Sequence, residues 1–127
     1  MKVNELRIGN YLYLCGWHVR VVGVLEDGVY VNNLNTLFKV DITDIRPIPL
    51  TKEFFEKNGF IKQHDFEDVL YYRSEDMRMQ VYENYLGWVV NIDSENFTMV
   101  FSNNLKYVHE LQNAYFVSTG EELEVKL

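Results

Sequence analysis

Three histidines and a single cysteine are the side chains of this sequence best suited to proton transfer, nucleophilic attack or metal binding. Cys15 and His18 stand three apart, a spacing that can seed a metal site. A structural zinc site needs four ligands and a catalytic one usually three. Neither His64 nor His109 lies near in sequence, so Cys15 reads as a half-buried thiol beside a turn. His64 and Glu67, within His64-Asp65-Phe66-Glu67-Asp68, offer oxygen and nitrogen to a divalent cation, but loop acids are commonly solvated charge. His109-Glu110 is a poor acid/base pair because adjacent helical residues project about 100° apart, and His109 reads as a helix-surface residue. Gly-x-Ser-x-Gly and Ser-x-x-Lys are both missing, and the seven glycines are scattered at turns rather than gathered into a phosphate-cradling loop. The expectation is a chain with no catalytic residue, no cofactor and no metal. An enzyme built on His18, His64 or His109 would need two of them, or one with a carboxylate, to converge in a pocket with perturbed titration.

Charge narrows the partners. The chain of 127 residues carries 12 Lys or Arg against 19 Asp or Glu, a net charge of −7. Residues 1–59 hold seven of each sign, and residues 60–127 hold five basic against twelve acidic, so the second half carries the whole excess. Phosphate backbones are bound by neutralising them with Lys and Arg. No basic patch stands out along the sequence, and nucleic acid is disfavoured as a partner. The acidic half could instead mimic nucleic acid and block a DNA-binding protein, if Glu67, Asp68, Glu75, Asp76, Glu83, Asp93 and Glu95 shared one surface. The longest apolar runs, such as Val19 to Leu25, fall far short of the ~20 residues of a membrane-spanning helix. With one cysteine and no apolar secretory segment after Met1, a cytoplasmic protein is expected, with no membrane partner.

These side chains must be held by an α+β framework. Residues 1–50 read as about five short strands with tight turns: Leu6-Arg7-Ile8, Tyr11 to Leu14, Trp17 to Leu25, Val29-Tyr30-Val31 and Thr36 to Val40. Asp27-Gly28 predicts a two-residue type I′ hairpin loop. This pattern fits a small SH3-like antiparallel barrel. Pro47 and Pro49 force extended geometry on the residues before them, and Thr51 caps a linker helix from Lys52 to Asn58 ended by Gly59. Residues 51–127 then read as that helix and an antiparallel meander of Val69 to Arg73, Met77 to Tyr82, Trp88 to Ile92 and Phe97 to Phe101. Alternation puts Met77, Met79 and Val81 on one face, with Trp88, Val90 and Ile92, and Phe97, Met99 and Phe101, aligned likewise. A terminal helix over 106–118, with Val108, Leu111, Ala114 and Tyr115 on one side and Gly120 as its stop, is expected to cover this meander. Leu123 to Val125 would add an edge strand. The two regions are expected to share one compact unit.

Nine Tyr, eight Phe and two Trp make the chain aromatic-rich. Most of these rings are expected in the interior. A stacking platform for single-stranded nucleic acid would pair them with cations, whereas the aromatic-rich meander is the acidic half. Trp17, Tyr85 and Leu86 are the exceptions, because they fall at predicted turn tips, where small polar residues are usual. They are the candidate residues for contact with an unidentified protein partner.

Three segments carry a resemblance. Met1-Lys2-Val3-Asn4-Glu5-Leu6-Arg7-Ile8-Gly9-Asn10-Tyr11 is one. Ile45-Arg46-Pro47-Ile48-Pro49-Leu50-Thr51, with Phe54-Phe55 and Gly59-Phe60, is the second. Val108-His109-Glu110-Leu111-Gln112-Asn113-Ala114-Tyr115-Phe116, with Thr119-Gly120-Glu121-Glu122-Leu123, is the third. Together they resemble a family of small proteins of uncharacterised function from Bacteroidetes bacteria and their phages or mobile elements. The resemblance spans both ends and the middle, implies no activity and assigns no site residue. The reading it leaves is a non-enzymatic interaction or accessory protein of unknown oligomeric state, such as small barrels often provide.

Overall fold

A computed structural model describes residues 1–67, 70–76, 78–93 and 99–127, with 99–103 described through their backbone alone. The fold is α+β: two five-stranded antiparallel sheets and two helices. The chain divides into two compact units, one of Met1–Pro49 and Tyr107–Asn113, the other of Leu50–Lys106 and Ala114–Leu127.

The first unit holds β1 (Tyr11–Leu14), β2 (Trp17–Val24), β3 (Gly28–Asn33), β4 (Thr36–Asp41) and β5 (Ile45–Arg46), in the order β4-β3-β2-β1-β5. Each consecutive strand from β1 to β4 folds back on its predecessor, and β5 returns to the free edge of β1. Alternation then decides the faces. Leu12, Val19, Val21, Val29, Val31, Val40 and Ile45 point to one side and form, with Leu6, a buried aliphatic core. Val22 is an extra residue between the pairs Val21↔Val31 and Gly23↔Tyr30, a bulge that bends β2 and helps the sheet curl.

Turn chemistry differs from the expectation in one place and obeys it in another. The β2–β3 hairpin exists, but its loop is longer than two residues: Val24 pairs with Val29 and Leu25 N–H donates to the Gly28 carbonyl. Gly28 does not adopt a positive φ. It is glycine because a Cβ there would overlap the Val40 carbonyl oxygen of the neighbouring strand. Two-residue loops with both central φ positive join β1 to β2, at Cys15 and Gly16 (49° and 83°), and β3 to β4, at Leu34 and Asn35 (49° and 70°). The expected strand Leu6-Arg7-Ile8 is a turn instead. Asn10 closes it, its Oδ1 accepting from Arg7 N–H at 2.8 Å while Asn10 N–H donates to the Arg7 carbonyl.

The second unit opens with α1 (Lys52–Lys57), capped by Thr51, whose hydroxyl accepts from Phe54 N–H at 3.1 Å. Its sheet runs β10-β9-β8-β7-β6, built from β6 (Ile61–His64), β7 (Leu70–Arg73), β8 (Met79–Asn84), β9 (Gly87–Asp93) and β10 (Met99–Leu105). Met79, Val81, Trp88, Val90 and Ile92 are buried as alternation required, and Val89 is buried as well. The expectations for Val69, Met77 and Phe97 lie outside the described residues, as do those for the side chains of Met99 and Phe101. β6 was not expected, since Ile61-Lys62-Gln63-His64 offers one apolar residue and is largely exposed at the sheet edge. Phe55 packs its ring on Phe60, Tyr72 and Trp88, at centroid distances of 5.0, 6.3 and 4.6 Å. Trp88 Nε1 donates to the Leu50 carbonyl at 3.3 Å, so the linker helix is pinned to its own sheet by an aromatic cluster.

The terminal helix α2 (Val108–Thr119) forms where the apolar spacing placed it. Its residues 108–113 belong to the first unit rather than wholly to the second. Polar side chains cause this. Gln112 accepts from Tyr11 N–H at 2.9 Å and donates to the Gly9 carbonyl at 3.0 Å. Asn113 accepts from the Asn10 amide and donates to the Glu5 carbonyl, both at 2.8 Å. After the helix, Leu123 to Val125 forms no strand. The tail is tied through Lys126, whose backbone exchanges two hydrogen bonds with the Asn58 side chain.

Candidate functional site

The residues with intrinsic reactivity are dispersed. Cys15 is exposed rather than half-buried, on the two-residue loop between β1 and β2. His18 points to the outer face of the first sheet, its ring 4.8 Å from that of Tyr13. His64 sits exposed on the edge strand of the second unit, and Glu67 N–H donates to Asp65 Oδ1 in a local turn. Among the described residues no group of three or more His, Cys, Asp or Glu is placed to hold a metal ion.

His109 overturns the surface reading. It is 1% exposed, with its ring stacked 5.9 Å from Tyr107. Nε2 lies 3.5 Å from a Glu5 carboxylate oxygen without the alignment of a hydrogen bond, and both ring nitrogens are left without a hydrogen-bond partner. Burial pulls its pKa below the ordinary imidazole value, and the opposing pull of Glu110 and Glu5 is weaker. The ring is therefore neutral at pH 7 and closed to any substrate. Histidine and carboxylate do converge here, but without the access that catalysis needs.

The three turn-tip residues are exposed, each within its own unit. Trp17, at 61% exposure, closes the β1–β2 hairpin opposite Leu14. Tyr85, at 93%, and Leu86 form the β8–β9 loop, held by Asn84 Oδ1, which accepts from Leu86 N–H and Gly87 N–H. Nothing in this loop chemistry calls for an aromatic ring.

A larger feature escaped the sequence reading: the outer face of the first sheet. Register places Arg46, Tyr13 and His18 in one row across it, then Tyr11, Arg20, Asn32 and Leu37, then Gly23, Tyr30 and Lys39. His18, Arg20, Tyr30, Asn32, Leu37, Lys39 and Arg46 are all exposed. The Arg20 guanidinium lies 5.6 Å from the centre of the Tyr11 ring. Arg46 Nη1 is held by the Thr43 and Ile45 carbonyls, and Tyr30 leans over Gly23 where a Cβ would press against its ring at 3.3 Å. Three of the five basic residues in 1–49 therefore share one side of a sheet, which corrects the expectation that no basic patch forms. The signal was present in the parity of positions 11, 13, 18, 20, 30 and 39. Only the strand register joins them.

Of the seven carboxylates considered for nucleic-acid mimicry, the five that fall among the described residues, Glu67, Glu75, Asp76, Glu83 and Asp93, are exposed. Asp76 is engaged locally, accepting from Ser74 Oγ at 2.7 Å and from Arg78 N–H at 3.0 Å. Asp68 and Glu95 lie outside the described residues. Among the described residues no helix is long and apolar enough to cross a membrane. Comparison of the chain with protein-family models, curated proteins and solved structures returns no match.

Proposed function

We propose that the protein is a non-enzymatic interaction or accessory protein whose partner protein docks on its exposed apolar turn tips. The observation that carries this reading is Tyr85, 93% exposed on a loop whose geometry is already satisfied by Asn84, with Trp17 repeating the pattern in the other unit. Large rings kept in water without a structural reason gain most from being covered by a partner. The five-strand order, with β5 returning beside β1, supports an SH3-like barrel as the finer description of the first unit. Membership of the Bacteroidetes phage and mobile-element family, and a cytoplasmic setting, belong to the same proposal and rest on the resemblance and on cysteine usage. Burial of His109 favours binding over catalysis.

The test is affinity capture from the native host with the intact chain and with Trp17→Ala and Tyr85→Ala/Leu86→Ser variants. One stoichiometric protein partner, lost with either variant while the unfolding midpoint hardly moves, is the expected result. A partner retained by both variants removes the tips from the proposal.

A further inference from the structure

We propose that the outer face of the first sheet is a second binding surface, and that it takes single-stranded DNA. This goes beyond contact at the turn tips, for it uses none of Trp17, Tyr85 or Leu86. It rests on Tyr11, Tyr13 and Tyr30 as rings and Arg20, Lys39 and Arg46 as cations, brought together by strand register.

Two chemistries coincide on this face. Every nucleobase has a π-face, and aromatic side chains lying on a sheet stack bases without regard to sequence. Tyr30 is the open ring of the three, lying over Gly23 on the exposed face, since Arg20 lies over Tyr11 and the His18 ring lies 4.8 Å from that of Tyr13. Cations spaced among the rings neutralise the phosphates between successive bases. Arg20 sits between Tyr11 and Asn32, Lys39 beside Tyr30, and Arg46 beside Tyr13, so each ring has a cation one strand away. No carboxylate occupies an outward strand position until Asp41, at the rim opposite Gly28. Residues 1–59, which include this whole face, are balanced at seven charges of each sign, and the net charge of −7 falls in residues 60–127. DNA is favoured over RNA because exposed Leu37, in the row of Tyr11, Arg20 and Asn32, gives apolar contact to the methyl group that thymine carries and uracil lacks.

Fluorescence anisotropy of labelled oligo(dT) with the full chain, across a salt series, tests this. Binding at low salt is expected, with log K falling against log salt at a slope of about −2, as three neutralised phosphates on a single strand give. Arg20→Ala, Lys39→Ala and Arg46→Ala should each flatten that slope by about 0.7. Tyr30→Ala should weaken binding about fivefold or more at unchanged slope, and Tyr30→Phe should retain it. Trp17→Ala and Tyr85→Ala should bind as the parent does, which keeps this test separate from that of the turn tips. The inference is overturned by no binding at low salt, by full binding in Tyr30→Ala, or by tighter binding of oligo(U). It is equally overturned if sedimentation finds a dimer abolished by Lys39→Glu, which would make a second copy's acidic surface the occupant.

Discussion

Both sheets are five-stranded and antiparallel, but the second is a simple meander whereas the first brings β5 back beside β1, and they differ in the residues that fill their interiors. In the first, aliphatic side chains from Leu12, Val19, Val21, Val29, Val31 and Ile45 fill the interior, and Tyr11, Tyr13 and Tyr30 lie on the outside among cations. In the second, Phe55, Phe60, Tyr72 and Trp88 are the interior. Phe55, Phe60, Tyr72 and Trp88 hold α1 to its sheet, whereas Tyr11, Tyr13 and Tyr30 lie on the face turned away from the aliphatic core. The same residue type therefore fills the interior in one place and faces away from the core in the other.

That contrast can be broken most directly at Phe55. Phe55→Ala removes a fully buried ring that touches four others and should cost about 3–5 kcal/mol, read as a fall in the urea midpoint. Tyr30→Ala, by comparison, should cost well under about 1 kcal/mol. Equal losses would erase the distinction. Next in size is Gly28→Ala, whose new methyl meets the Val40 carbonyl and must push β3 from β4, a loss of about 1–3 kcal/mol in the same measurement.

His109 gives a smaller, pH-dependent effect confined to the first unit. Its pKa is lower folded than unfolded, so the unfolded chain binds the extra proton first. The stability due to the neutral ring is complete above about pH 6.5 and is lost as the pH falls through that value toward the folded pKa, at no more than about 1.4 kcal/mol per pH unit. Thermal melts between pH 7 and pH 5 should fall more steeply for the parent than for His109→Leu. Parallel curves would mean that Glu5 and Glu110 compensate the buried charge. Smallest of all, Trp17→Ala and Tyr85→Ala should shift stability by no more than about 0.5 kcal/mol.

Much of the framework was legible because its signals are local. Thr51 and Gly59 bracket α1, the Trp88-Val90-Ile92 alternation marks β9, and the apolar spacing of Val108, Leu111 and Tyr115 marks α2. What escaped depends on partners distant in sequence. Gly28 looked like a turn residue until Val40 came beside it, and β6 exists only because β7 lends it hydrogen bonds. His109 and Gln112 are polar yet lie on the buried side of α2, where hydropathy does not count them. The tyrosine and cation face is the largest omission, since its members span residues 11 to 46 and only the pairing register aligns them.

The amides of Asn10, Gln112 and Asn113, which fasten the start of α2 to residues 5–11, carry no formal charge. Electrolyte that would strip a phosphate ligand from arginine and lysine leaves such fastenings in place. Raising ionic strength should therefore act on the cations of the first sheet's outer face and spare the amide contacts that hold the start of α2.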